Sequence, residues 1–435
     1  MLLNSILKLT VFKARIALIN RKKELYQTVT DSSDIQNYQI NRFNEVWSNA
    51  YKNIPFYQMW KEKHLLPDSI DSIADISLFP PLTKADIQDN YELIMSNLTD
   101  YQLVSTGGST GEPTKFPTSN EESDLVYANQ YLGRSWWNIT SLDKILLFWG
   151  HSHLFGSGIK GKLNVYKRSL FDWVIGTHRL SAYDISDERL AHLYQKVHKL
   201  NPTTIIGYTS TIYKMAKYID ENNLPIGRKT NLQGVVVTSE TVSEYDIKII
   251  EKVFKVPCVI EYGMAETGAI AYSKNKSNNI RILWDSFIAQ KSETGVLYLT
   301  TISKKLFPLI NYQTNDIVES KDEKSVLTIS KIIGRKNDIL EIRNDNKILS
   351  VHSELFTHVL KSIPGVMNFQ IIQKKNKNII IKYVSRNNID VAKLFFSEIE
   401  KEYSSIHQGS FTFEKVDEIE QTIAGKAKWI LIEKD

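Results

Sequence analysis

The stretch of this chain with the most chemical potential runs Ser105-Thr106-Gly107-Gly108-Ser109-Thr110-Gly111-Glu112-Pro113-Thr114-Lys115. Clustered glycines free the backbone to turn its N–H groups toward an anion. Hydroxyls of Ser105, Thr106, Ser109 and Thr110 add donors, and Lys115 can supply a point charge. The composition suits a phosphate-holding loop and, equally, a surface linker. It is not the Walker pattern, because no Gly-Lys-Ser/Thr closes it. His151 and His153 lie two apart, yet no third zinc ligand is evident. The lone Cys258 excludes a disulfide framework and any Cys-based zinc site within one chain.

The elements around these residues alternate. A strand at 101–104 precedes the Gly-rich loop and a helix starting near Ser119 follows it, with Ser119 and Glu122 in capping-box spacing. KILLFWG (144–150) reads as a buried strand. DERLAHLYQKVHKL (187–200) is a helix with Leu190, Leu193, Val197 and Leu200 on one face. A strand at 203–208 leads into a helix over 209–219 opened by a hydroxyl cap. Strands follow at 234–240 and 256–263. Near the start, Ile40, Phe43, Val46, Trp47 and Ala50 keep helical spacing until Pro55 stops the run. This alternation predicts an α/β body with parallel sheet flanked by helices. Beyond residue 335 the texture turns Lys- and Asn-rich, with a strand at 378–385 and a helix around 390–403. The expected organisation is a body over 1–335, including an N-terminal extension over 1–38, and a smaller, mobile α+β cap over 336–435.

Composition narrows the class. A chain of 435 residues with 42% hydrophobic content sustains a core without staples, and its apolar residues are too evenly spread for disorder. A net charge of +5 is weak ground for a nucleic-acid partner, and none is expected. No apolar run approaches a membrane span. At the N-terminus, lysines and arginines interrupt any signal-peptide core and no small-residue cleavage site follows, which suggests a cytoplasmic protein. Lys8, Arg15 and Lys22 recur every seven residues. A terminal helix carrying them would either touch an anionic membrane or, the preferred reading, dock its apolar side on the body.

STGGSTGEPTK resembles the pyrophosphate-gripping loop of adenylate-forming enzymes, in the branch of phenylacetate–CoA ligase and its capsular-polysaccharide-associated relatives. Further stretches follow in that family's order: IIGYTSTIYKMAKYI (205–219), EYGMAETGAIAY (261–272), FPLINYQTNDIV (307–318), IIGRKNDIL (332–340) and TIAGKAKWI (422–430). NIPFYQMW (53–60) and FPPLTKADI (79–87) resemble the branch's entry helices, so the likeness spans about residues 39–430.

The resemblance implies an ATP-dependent, AMP-forming acid ligase using ATP and Mg²⁺, with coenzyme A a candidate co-substrate. A small carboxylic acid would become an acyl-adenylate, and a thiol or amine acceptor would then take the acyl group. Ser105 to Gly111 and Lys115 would hold the β- and γ-phosphates. Tyr262, before Gly263, would lie against adenine; a core tyrosine ending a strand is the alternative. Glu266 would hold Mg²⁺, against the reading of a solvated loop carboxylate. Asp316 would accept from the ribose hydroxyls and Arg335 would reach ribose or phosphate, the alternatives being a turn cap and a surface salt bridge. Lys426 would contact carboxylate and α-phosphate, with Asn337 and Asp338 as the hinge that moves it. Trp149, His151, Phe155 and Ser239 fall where the acyl pocket is expected.

Three positions depart from the family's usual pattern. Asn311 and Asn315 stand where an Arg and a Gly are common, and Gln313 replaces a second Arg, losing positive charge or a flexible turn near the nucleotide. The segment after the hinge, EIRNDNKILS, lacks a Gly often found beside the pantetheine path. Asn311, Gln313 and Asn315 motivate a second reading, a nucleotide-binding module that keeps the fold without turnover.

Overall fold

The computed structural model describes residues 13–105, 114–149, 172, 175–180, 187–226, 231–274, 278–322, 325–335, 339–344, 347–385, 389–402, 408–419 and 429–433. It is a mixed α/β architecture whose chain divides into two units. One takes residues 1–242, 249–314 and 318–332, and the other takes 243–248, 315–317 and 333–435.

The larger unit is organised by an eight-stranded sheet. Five strands run parallel in the spatial order Thr177–Leu180, Ile145–Phe148, Thr204–Tyr208, Gly234–Thr238, Cys258–Met264. The strands Thr204–Tyr208 and Gly234–Thr238 are buried along their whole length, as strands covered on both faces must be. The parallel expectation covers only this part. Gly268–Ser273, Ile280–Ile282 and Thr328–Ile329 continue the sheet antiparallel: short connections lead into the first two, and Thr328–Ile329 returns to the sheet after the strands between Phe287 and Glu319. A second sheet combines Phe287–Lys291, Val296–Thr301, Tyr312–Glu319 and Lys331–Arg335.

An aromatic core of Phe43, Trp47, Tyr57, Trp60, Phe79 and Phe307 supports that second sheet. Phe43, Trp47 and Ala50 come from the helix Ser32–Asn53, and Pro55 opens the next helix, Pro55–His64, as its first residue. The hydroxyl of Tyr57 donates to the carbonyl of Pro308, tying the core to the segment that enters Tyr312–Glu319.

The N-terminal helix Lys13–Thr28 docks on the body through charged groups together with a buried Ile19 and an aromatic stack. Ile19 is its one buried residue among those described. Arg15 pairs with Asp124 at 2.6 Å, Lys22 pairs with Asp285, and Tyr26 donates to Asp285 at 3.0 Å while stacking on Trp284. The basic stripe read from the sequence is thus, at Arg15 and Lys22, the docking face. Among the described residues no helix is long and apolar enough to cross a membrane.

The smaller unit contains a sheet ordered Phe411–Lys415, Ile379–Ser385, Val366–Gln373, Ile430–Ile432, and a two-stranded ribbon Ile339–Asn344 with Lys347–His352. Helices Glu354–Ser362 and Val391–Glu402 belong to the same unit, and Phe356, Leu360, Ile371, Ile381, Phe395 and Ile399 fill its core. Within this unit Lys361 meets both oxygens of Asp246 at 2.9 and 3.1 Å, and its ammonium lies 4.1 Å from the centre of the Trp429 ring.

Candidate active site

The Gly-rich loop hangs from a hairpin. Gln102–Ser105 pairs antiparallel with Lys115–Thr118, in a register that sets Ser105 directly opposite Lys115. The two ends of the loop therefore leave and return side by side, and both Ser105 and Lys115 are exposed. Thr106, Gly107, Gly108, Ser109, Thr110 and Gly111 lie outside the described residues. The helix Asn120–Ser135 follows, and the Ser119 hydroxyl accepts from the N–H of Glu122 at 3.2 Å. Only this half of the expected capping box forms. The Glu122 carboxylate turns away to accept from Leu306 N–H at 2.6 Å and to pair with Lys305 at 3.5 Å. Burial explains the choice, because Glu122 is 4% exposed and a buried carboxylate requires stronger partners than its own helix offers.

Glu266 sits in the turn after strand Cys258–Met264 and is buried, not a solvated loop carboxylate. Its Oε1 accepts from the Tyr312 hydroxyl at 3.2 Å and meets the half-exposed Lys84 ammonium at 3.3 Å. Its backbone carbonyl accepts from Lys305 Nζ at 3.0 Å. Burial depresses the Lys305 pKa, opposed by the neighbouring Glu122 and Glu266. Among the described residues no group of three His, Cys, Asp or Glu could hold a metal. One carboxylate is nonetheless a fitting contribution to Mg²⁺, which commonly takes one or two protein carboxylates and completes its shell with substrate phosphates and water.

Tyr262 precedes a bulge. The pairing of Cys258–Met264 with Gly268–Ser273 shifts register between Tyr262 and Gly263. A Cβ on Gly263 would stand 2.6 Å from the carbonyl oxygen of Gly268, so only glycine fits this close approach. Tyr262 itself is 8% exposed and belongs to the buried core. Its neighbour Glu261 is also buried and accepts from Arg134 Nη2 at 2.9 Å, from Arg134 Nε at 3.3 Å and from the Tyr272 hydroxyl. Burial alone would lower the Arg134 pKa, but the facing Glu261 carboxylate reverses the sign and holds it above its usual value. The helix behind the Gly-rich loop is therefore pinned at both ends, by Glu122 and by Arg134.

The C-terminal ends of the parallel strands form one rim, the usual place for ligands in such sheets. Strand order reverses between Ile145–Phe148 and Thr204–Tyr208. At that switch point Trp149 and Tyr208 pack with ring centroids 4.8 Å apart. Trp149 is half-buried there, while His151 and Phe155 lie outside the described residues. Ser239, after Gly234–Thr238, is exposed and held at φ 68°, a left-handed conformation unusual for a non-glycine. Next to it, Glu240 accepts from the N–H and hydroxyl of Ser210 at 2.7 and 3.1 Å. The helix Thr209–Glu221 consequently starts on a carboxylate from another loop, not on the hydroxyl cap its sequence suggests.

Asp316 is half-buried in Tyr312–Glu319 and groups with the smaller unit. The neighbouring departures acquire structural reasons. Asn315 stands at φ 64°, so it keeps the left-handed turn a glycine would make. Asn311, at φ 48°, donates from Nδ2 to the Phe79 carbonyl at 2.6 Å, a bond that orients the entry to this strand. Arg335 ends the strand Lys331–Arg335, and only its backbone is described. Asn337, Asp338 and Lys426 lie outside the described residues. Trp429, three positions after Lys426, anchors the chain there: its carbonyl accepts from Ile371 N–H at 2.7 Å and its ring packs on Phe369.

Residues 343–433 match a family model described as the CapK C-terminal domain. Protein CapK of Staphylococcus aureus is 26% identical over 422 residues, covering 94% of this chain and 91% of that protein. Phenylacetate-coenzyme A ligase of Escherichia coli (strain K12) is 23% identical over 356 residues, covering 76% and 77%. Over most of its length the chain is thus similar to protein CapK and to phenylacetate-coenzyme A ligases. A crystal structure of 2-hydroxyisobutyryl-CoA ligase in the postadenylation state, in complex with R3-HIB-AMP, shares the fold. Its TM-score is 0.72 at 14% identity, over 94% of this chain and 92% of that one.

The sequence reading missed four residues that hold the candidate Mg²⁺ ligand and its strand: Lys84, Lys305, Tyr312 and Arg134. Lys84 and Tyr312 lay inside stretches recognised for the family, but no spacing assigned them to Glu266. Lys304 and Lys305 are adjacent and alike in sequence. The first is 71% exposed in a surface pair with Glu121, the second 11% exposed beneath Glu266, and only the fold separates them.

Proposed function

We propose that this protein is an ATP-dependent acid ligase that proceeds through an acyl-adenylate. In the first half-reaction a substrate carboxylate oxygen attacks the α-phosphorus of ATP. An O–P bond forms, the bond from that phosphorus to the bridging oxygen of the β-phosphate breaks, and pyrophosphate leaves. In the second, a thiol or amine attacks the acyl carbon and AMP leaves. Because carboxylate and triphosphate repel, the residues around them must neutralise charge while aligning the reactants.

The observation that carries the reading is the shared scaffold of two features. The hairpin under the Gly-rich loop, with Ser105 facing Lys115, is linked through Glu122 and Lys305 to the turn of Glu266. In this reading the loop hydroxyls, backbone N–H groups and Lys115 bind the β- and γ-phosphates. Tyr262 lies against the adenine face, and Asp316 with Arg335 holds ribose. Trp149, His151, Phe155 and Ser239 surround the acyl group, and Lys426 contacts carboxylate and α-phosphate. Mg²⁺ would be held by Glu266 and, when bound, would neutralise phosphate charge. The acceptor is a thiol, of coenzyme A or a carrier protein, or an amine, the latter in keeping with a role in surface-polysaccharide biosynthesis.

The alternative of a module without turnover rested on Asn311, Gln313 and Asn315. The bond from Asn311 to Phe79 and the left-handed Asn315 give two of the three a folding role, and the joint retention of Glu266, Asp316, Arg335 and Lys426 favours turnover. The deciding experiment is ATP–pyrophosphate exchange with a panel of carboxylic acids, in wild type and Lys426→Ala. Exchange with at least one acid is expected, reduced roughly 10²–10³-fold in the variant, the loss typical of one transition-state charge contact. No exchange across a broad panel, or exchange indifferent to Lys426, would overturn the reading.

A further inference from the structure

We propose that Lys305 is a positioning residue of the nucleotide site, tying the root of the Gly-rich loop to the turn that carries Glu266. The inference rests on the ATP-binding reading above and adds a residue that reading does not assign.

The chain of contacts is continuous. Strand Lys115–Thr118 brings the loop back to Ser119, whose hydroxyl holds the N–H of Glu122. The Glu122 carboxylate grips Leu306 N–H with one oxygen and pairs with the Lys305 ammonium through the other. That ammonium then donates to the Glu266 carbonyl at 3.0 Å. The Glu266 side chain, fixed at its backbone, is oriented by Tyr312 and Lys84. Lys305 thus acts on the Glu266 carboxylate from behind.

Stability alone does not account for a lysine here. Replacing a buried ion pair with apolar side chains of similar size is often neutral or stabilising, and Lys304 next door shows how a solvent-facing lysine is placed in the same segment. What an apolar side chain cannot do is donate to the Glu266 carbonyl. Partners one step removed from a metal ligand commonly change metal affinity by about 10–100-fold when lost.

The test uses the full chain and three variants: Lys305→Met, Glu122→Gln, and both together. Glu122→Gln keeps an acceptor for Leu306 N–H, so the double variant leaves no unpaired charge behind and carries the test should Lys305→Met fold poorly. Calorimetry measures ATP affinity with and without Mg²⁺, below the unfolding transition of every variant. The expected result is that the gain in affinity given by Mg²⁺ falls roughly 10–100-fold in both variants lacking Lys305. It should fall less in Glu122→Gln alone, which cuts the ion pair to the loop root but keeps the Lys305 bond to the Glu266 carbonyl, and restored thermal stability in the double variant should not bring it back. A Mg²⁺ gain equal to wild type in the double variant would reduce Lys305 to a packing role and overturn the proposal. Wild-type protein that binds no ATP would instead refute the nucleotide reading itself, and this inference with it.

Discussion

Removing the guanidinium of Arg134 tests whether the strand leading to Tyr262 is anchored as described. Arg134 and Glu261 are 7% and 9% exposed at the side chain, so water screens their interaction little. Arg134→Met preserves most of the volume and leaves the Glu261 carboxylate with the Tyr272 hydroxyl as its remaining described partner. Breaking one side of a buried pair costs about 3–5 kcal/mol, chiefly because the other charge stays desolvated. For a unit of this size that corresponds to a fall in unfolding midpoint of roughly 5–10 °C. The double variant Arg134→Met/Glu261→Gln removes the stranded charge and should recover more than half of the loss. Differential scanning calorimetry of the three proteins at one pH measures both effects. A single variant within about 1 kcal/mol of wild type, or a double variant worse than the single, would show that the pair does not carry this anchor.

Other outcomes follow from the same structure. Gly133→Ala should destabilise by roughly 1–3 kcal/mol although alanine favours helix, because its Cβ would overlap the Tyr272 ring; urea unfolding with an unchanged midpoint would contradict the packing. Burial raises the pKa of Tyr57 and Tyr272, and burial followed by the nearby Asp285 raises that of Tyr26. A raised folded-state value means the folded protein keeps protons that the unfolded chain releases. This stabilisation is therefore complete below pH ~10 and is lost as pH rises beyond it. Midpoints measured from pH 8 to 11 should decline only above that point, and a flat profile would refute it. Asp285→Asn weakens the anchor of the N-terminal helix, and tryptic cleavage around Arg21 to Lys23 should rise about tenfold, the shift given by ~1.4 kcal/mol from a charged hydrogen bond. Unchanged cleavage would mean that the helix is held elsewhere.

Much of the architecture was legible because local periodicity and burial coincide in it. The strands ending at Phe148, Tyr208 and Thr238 and the helix 187–200 announce themselves by uninterrupted apolar runs or one apolar face. The loop from Ser105 to Lys115 declares its chemistry by composition. The order of the motifs was enough to suggest the family, since each motif is a short contiguous string. What sequence could not show was how groups far apart in the chain divide their hydrogen bonds. Its spacing suggests that Glu122 caps its own helix, but a carboxylate with 4% exposure goes to the strongest donors in reach, and folding puts Lys305 and Leu306 there. The sequence at Thr209 suggests a hydroxyl cap, but a loop thirty residues later delivers Glu240 to the N–H and hydroxyl of Ser210. Asn311 and Asn315 looked like lost functions because a side chain's type does not reveal its backbone angle. Sequence by itself determined the alternation of elements, the glycine loop and the family's motif order, all properties of neighbours along the chain. Only tertiary structure decided which charges are buried together, because desolvation depends on what surrounds a group in space, and that cannot be read from the residues beside it in sequence.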